Sequence, residues 1–116
     1  MTGHELTRRI AKTLDDKKAL DIEALHVTNL TILADYFIIA TGTSSTHVKS
    51  LADEVEHVLE LKGVRPGHIE GKSTMWILLD YGTVIVHIFN GESRAFYDLE
   101  RLWKDSEKMD VAELIK

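Results

Sequence analysis

Three groups of side chains in this 116-residue sequence have the types and spacing to do chemistry. Asp53, His57 and Glu60 follow one another at steps of four and three, which on a helix brings two carboxylates and an imidazole within reach of one metal ion. Glu54 and Glu56 stand among them, and that density of charge is how the solvated face of an amphipathic helix reads, so the pattern does not favour a metal site. The second group, Ile39-Ala40-Thr41-Gly42-Thr43-Ser44-Ser45, leads from a strand into a helix, where free amides could hold a phosphate. It lacks both the lysine of a P-loop and the three glycines of a dinucleotide fingerprint, and helix capping alone explains its hydroxyls. A strand, turn and helix followed by an acidic strand is also the arrangement of nucleotidyltransferases, which need paired strand carboxylates to hold two metal ions. Here Asp80 stands alone, with Leu78 at the earlier alternate position and Thr83 at the later one. An enzyme using the Gly42 to Ser45 turn to bind nucleotide is therefore the alternative, not the leading reading. His87, between Val86 and Ile88 with no serine or cysteine partner in view, reads as a hydrogen-bonded structural histidine. No catalytic constellation, cofactor site or metal site emerges, and the protein is expected not to be an enzyme.

The third group suits binding. Trp76, Asp80 and Tyr81 lie along one strand and its turn, an acidic group beside aromatic and aliphatic anchors. Large aromatics serve cores and interfaces alike, so core packing and partner anchoring both stand open for Trp76.

These residues must be positioned by elements that the periodicity makes legible. Thr2 and Glu5 have capping-box spacing, and Leu6, Ile10, Ala11 and Leu14 continue a helix to about residue 18. Ile22, Leu25 and Val27 read as a strand and Asn29 to Thr31 as a turn. Tyr36-Phe37-Ile38-Ile39-Ala40-Thr41 is aromatic and β-branched almost throughout, as a strand covered on both faces must be. Gly42 stops it. Val48, Leu51, Ala52, Val55, Val58 and Leu59 then form the apolar stripe of a long helix that Lys62-Gly63 ends. Pro66-Gly67 is a turn, Ile69 a short edge strand, and Gly71-Lys72-Ser73-Thr74 a loop. Met75 to Asp80, Tyr81-Gly82 and Thr83 to Phe89 form a hairpin. Ser93 can cap a last helix carrying Phe96, Leu99, Leu102 and Trp103 on one side. The order predicts an α/β (α+β) fold: a mixed sheet of about five strands flanked by helices, with residues 1–104 forming one domain and the charged tail 105–116 expected to fray.

Composition narrows the function classes. There are no cysteines, which excludes disulfides and thiolate chemistry, and the N-terminal segment lacks the apolar run of a secretory signal. Its apolar runs are too short to span a bilayer, so a cytoplasmic protein is expected, with no membrane partner. The net charge is −5, and residues 21–91 carry nine acidic and four basic side chains. An acidic domain repels a phosphate backbone, so little direct nucleic-acid binding is expected, and any partner near RNA should be a basic protein.

The segments together resemble the ribosomal silencing factor (RsfS, or Iojap) family over residues 5–104. The resemblance is carried by Asp21-Ile22 with Leu25 and Val27, by Ala34-Asp35 running through Tyr36 to Ser45 with His47-Val48, and by Leu51-Ala52-Asp53 and Glu70-Gly71. It continues through Trp76-Ile77-Leu78-Leu79-Asp80-Tyr81-Gly82, Val84 to Phe89, and Arg94 with Phe96 to Trp103. It implies a nucleotidyltransferase-like topology without catalytic residues. It further implies a cytosolic factor that binds large-subunit ribosomal protein fourteen on the intersubunit face, blocks subunit association, represses translation under nutrient limitation, and can form a homodimer. It places Trp76, Leu78, Asp80 and Tyr81, with Leu79, in the partner-binding surface. Thr83 departs from the acidic residue common in relatives after the turn glycine, and Lys72-Ser73-Thr74-Met75 matches only as a loop.

Overall fold

The computed structural model describes residues 1–71 and 75–116. The chain begins with helix α1 (Gly3–Asp16), capped by the Thr2 hydroxyl, which accepts the Glu5 amide at 3.1 Å. Leu6, Ile10, Ala11 and Leu14 are its buried stripe. Strands β1 (Leu20–His26) and β2 (Tyr36–Gly42) follow as an antiparallel pair. Helix α2 (Ser45–Leu61) buries Val48, Leu51, Ala52, Val55 and Leu59, and leads to β3 (His68–Glu70), β4 (Trp76–Asp80) and β5 (Val84–Asn90). Two short helices come next, α3 (Gly91–Tyr97) and α4 (Leu99–Leu102), and then β6 (Glu107–Lys108) and α5 (Val111–Leu114). Apart from Gly71, the loop expected at Gly71-Lys72-Ser73-Thr74 lies outside the described residues.

The strands lie in the order β3-β4-β5-β2-β1-β6. Among the described residues only β2 and β5 pair in parallel, Tyr36 with Val84 through to Gly42 with Asn90, so the sheet is mixed as the sequence predicts. The connection between them runs through α2 and therefore can cross a face of the sheet, which a tight turn could not do. Ile38, Ala40, Val84, Val86 and Ile88 point to one face and pack with α1 and α2 around Ile10, Leu14, Leu51 and Val55. Phe37, Ile39, Ile85 and Phe89 point to the other, where Leu25, Val27, Leu99 and Trp103 join them. This second face is roofed only by short elements, and that difference in cover is what leaves a site.

Three expectations need correction. The segment after residue 104 does not fray: β6 pairs with Leu25 and His26 of β1, making a sixth strand, and Leu114 is buried. Arg8 ties it to α1, donating from Nε to the Leu114 carbonyl at 3.2 Å. Nor is the last helix continuous. Asp98 sits in the left-handed region at φ 45° and splits it into α3 and α4, so that Leu99 and Trp103 turn inward while Phe96, 81% exposed, and Leu102 turn to solvent. Its cap is Asn90, whose side chain accepts the Ser93 amide at 2.8 Å; Ser93 itself is not the cap. Among the described residues no helix is long and apolar enough to cross a membrane.

Candidate functional site

Strand alternation decides which of the candidate residues can meet a partner, because successive side chains point to opposite faces. In β4, Ile77 and Leu79 are buried in the core beneath α1 and α2, whereas Trp76, Leu78 and Asp80 are half-buried on the thinly covered face. Leu79 is 0% exposed and offers no atom to a partner in this conformation; it is a core residue. Tyr81 continues the core-side row and packs against the same cluster. Its hydroxyl is buried without a hydrogen-bond partner, and its pKa is raised, by burial first and by the nearby Glu56 carboxylate second. The five residues thus divide into a row of three on one face and a pair on the other.

The row is built on aromatic packing. Register places Trp76 opposite Phe89, Leu78 opposite His87, and Asp80 opposite Ile85. Trp76 stacks on Phe89 with ring centroids 5.0 Å apart and touches Tyr97 of α3 at 4.6 Å. On its far side β3 sets Glu70 opposite Leu78 and His68 opposite Asp80, and the His68 Nε2 lies 2.7 Å from a Glu70 carboxylate oxygen. Between β3, β4 and α3 runs a groove of about 390 Å³ lined by Glu70, Gly71, Met75, Trp76, Leu78, Ser93 and Tyr97. Its walls are mixed, Met75, Trp76 and Leu78 supplying hydrocarbon and Glu70, Ser93 and Tyr97 polar groups. Phe89, Tyr97 and Met75 belong to this site and were not singled out from sequence; His87, read there as a hydrogen-bonded structural histidine, does bond to Trp76 and shares a face with Phe89, as alternation along Val84 to Phe89 requires.

Asp80 has a second role in its turn. Its Oδ1 accepts the Gly82 amide at 2.8 Å, and Gly82 takes φ +85°, which only glycine adopts without strain. The carboxylate makes no ion pair among the described residues, so its charge remains available at the end of the row. Thr83 contributes through its backbone: its carbonyl accepts the amides of Asp35 and Tyr36 at 2.9 and 3.0 Å, a role indifferent to the side chain.

Arg94 holds the roof in place. Its guanidinium donates to the Thr41 hydroxyl at 2.9 Å and to the Asp21 carbonyl, and its Nε meets Glu100 at 3.4 Å. One side chain thereby fastens α3 and α4 to β1 and β2, and so fixes Tyr97 over Trp76.

The other candidates are placed apart from this face. At the start of α2 the Ser44 hydroxyl accepts the His47 amide at 3.1 Å, and the Thr43 amide donates to His47 Nδ1 at 2.9 Å. A Cβ on Gly42 would lie 2.8 Å from both the Val48 amide nitrogen and its Cγ2. The turn is consumed by capping and close packing, which leaves its glycine explained without a phosphate. Among the described residues no group of three His, Asp or Glu side chains is arranged to hold a metal ion, Asp53, His57 and Glu60 included.

Comparison with known proteins places this geometry in a family. The family described as ribosomal silencing factor during starvation matches residues 1–116. The chain is 34% identical to a ribosomal silencing factor RsfS of Halalkalibacterium halodurans over 116 residues, 99% of each chain. It is 35% identical to the RsfS of Bacillus subtilis over 112 residues, 96% of this chain and 95% of that one. A crystal structure of a Chromobacterium violaceum protein superposes with a TM-score of 0.87 at 38% identity, covering 90% of this chain and 88% of the other.

Proposed function

The chain belongs to the RsfS family of ribosomal silencing factors, and on that premise we propose that it docks on the large ribosomal subunit through large-subunit ribosomal protein fourteen and sterically prevents the small subunit from joining. The observation that carries this reading is the half-exposed row Trp76, Leu78 and Asp80 on the sheet face that only short helices cover. An aromatic anchor, an aliphatic neighbour and a carboxylate that makes no ion pair among the described residues suit a basic protein surface. The action needs no turnover and no cofactor: a folded domain seated on the intersubunit face excludes the arriving particle by volume. Repression under nutrient limitation, a cytoplasmic location and a capacity to form homodimers belong to the same reading.

The test is to incubate the purified protein with isolated large subunits, add small subunits, and follow joining on a sucrose gradient. Co-migration with the large subunit and a diminished joined peak are expected. Absence of association at low salt sinks the docking reading. A parallel titration with ATP and magnesium is expected to release no heat, and binding that depends on Asp80 would revive the nucleotide enzyme.

A further inference from the structure

His87 lies in the middle of β5, 6% exposed, directly beneath the row that carries the proposed contact. Its Nδ1 is 3.2 Å from the indole Nε1 of Trp76. An indole nitrogen can only donate, so Nδ1 must be the acceptor and the imidazole proton must sit on Nε2. That Nε2 has no hydrogen-bond partner among the described residues, and the imidazole lies among aromatic rings, with its centroid 5.3 Å from that of Phe37 and 6.3 Å from that of Phe89. A buried polar group normally finds partners for both its ring nitrogens, and one that spends only Nδ1, on a half-exposed tryptophan, is placed for that contact.

We infer that His87 is the positioning residue of the docking face: it accepts the Trp76 indole N–H and thereby holds the ring stacked on Phe89 and packed against Tyr97 as a preformed apolar anchor. The inference rests on the docking reading above. Phe89 stacks on the ring and Tyr97 packs against it at a tilt of 45°, while the hydrogen bond gives the indole its direction by distinguishing its N–H edge from the opposite one. The N–H is satisfied inside the domain, so Trp76 meets its partner with hydrocarbon. The partner surface it fits is therefore an apolar pocket without an acceptor for indole, set beside basic groups that meet Asp80. Holding the ring in one orientation before contact removes ordering that would otherwise oppose association. Burial pushes the His87 pKa down to about 4, which keeps the ring neutral, and Nδ1 an acceptor, at neutral pH.

The wild-type protein supplies the first test. Nitrogen shifts of the His87 imidazole are expected to report the neutral Nε2–H tautomer at pH 7, and the Trp76 indole proton should exchange slowly with solvent; an Nδ1–H tautomer overturns the proposal without any substitution. His87→Phe keeps a ring but removes the acceptor, and His87→Asn keeps an oxygen where Nδ1 stood. In His87→Phe the Trp76 indole proton is expected to lose protection while that of Trp103 does not, with affinity for large subunits falling about tenfold. His87→Asn should restore most of both. Wild-type affinity in His87→Phe, or retained protection of Trp76, refutes the inference, and a merely structural role would weaken both variants alike without selective exposure of Trp76. Failure of the wild-type protein to bind large subunits would instead remove the docking reading, and the tautomer and exchange measurements would still decide whether His87 holds Trp76.

Discussion

Leu78 and Leu79 are consecutive residues of one strand and face opposite sides of the sheet, Leu78 half-buried against the Trp76 face and Leu79 wholly enclosed beneath α1 and α2. Substituting them should therefore give opposite phenotypes. Leu79→Ala is expected to lower stability by about 2 to 5 kcal/mol, as large-to-small changes in closed cores do. Leu78→Ala should cost little stability and weaken large-subunit binding. Urea denaturation beside subunit sedimentation separates the two, and equal loss of stability in both variants would mean that the faces are not distinguished as described.

Asp80 combines a charge with a turn, and the two are separable. Asp80→Asn retains an oxygen for the Gly82 amide and removes the charge. Its stability should stay within about 0.5 kcal/mol of the parent, as for ordinary surface changes. Its association rate with large subunits should fall and lose part of its salt dependence. Rapid-mixing kinetics across a salt series measures this, and a parent-like rate would show that the carboxylate serves the turn alone.

The protein should weaken in mild acid on account of His87. Its folded pKa, about 4, lies below the ordinary 6.5, so the unfolded chain takes up a proton that the folded one refuses. The corresponding stability is fully present above pH 6.5 and is lost as pH falls toward 4, by about 3 kcal/mol for a shift of this size. Thermal melts from pH 7 to 4 should show that slope in the parent and a shallower one in His87→Phe.

Gly42 should tolerate no side chain. A Cβ there meets backbone as well as the Val48 side chain at 2.8 Å, so the start of α2 must move. Gly42→Ala is expected to cost about 1 to 3 kcal/mol, the range for overpacked sites. Adding Val48→Ala should not rescue it, because the amide nitrogen still blocks the position. Recovery in the double variant would locate the conflict in the Val48 side chain alone.

Truncation after residue 104 should be costly. It removes β6 from the edge of β1, takes Leu114 from its site under α1, and leaves Arg8 without the carbonyls of Leu114 and Lys116. A lower melting temperature is expected in the shortened chain, and an unchanged one would show that the tail docks without stabilising the domain.

Periodicity made the central elements legible because each carries one signal repeated. Tyr36 to Thr41 and Val84 to Phe89 are apolar on both faces and could only be inner strands, and the stripe from Val48 to Leu59 admits no other reading than a helix on that sheet. The last quarter was less legible for two reasons. Asp98 takes a left-handed conformation that its residue type permits without requiring, so nothing local announces the break between α3 and α4. The pairing of Glu107 and Lys108 with β1 comes from tertiary contact, since two charged residues carry no strand signal of their own. The site was visible as a row in β4 but not as a face. Its other half, Phe89 and Tyr97 against Trp76, comes from elements whose apposition depends on Arg94 reaching back to Thr41 and Asp21.

The parallel union of β2 with β5 has a consequence for how the chain is born. During synthesis α1, β1, β2 and α2 all leave the exit tunnel before the strand that completes the middle of the sheet, so Phe37 and Ile39 must wait, unpaired on one side, until Val84 to Asn90 emerges. Contacts so distant in sequence close slowly, and the nascent N-terminal half is an aggregation hazard for that interval. The middle of the sheet therefore cannot close until Val84 to Asn90 is free to pair with β2, and a ribosome that stalls before β5 would hold an open, adhesive sheet edge instead of a finished factor.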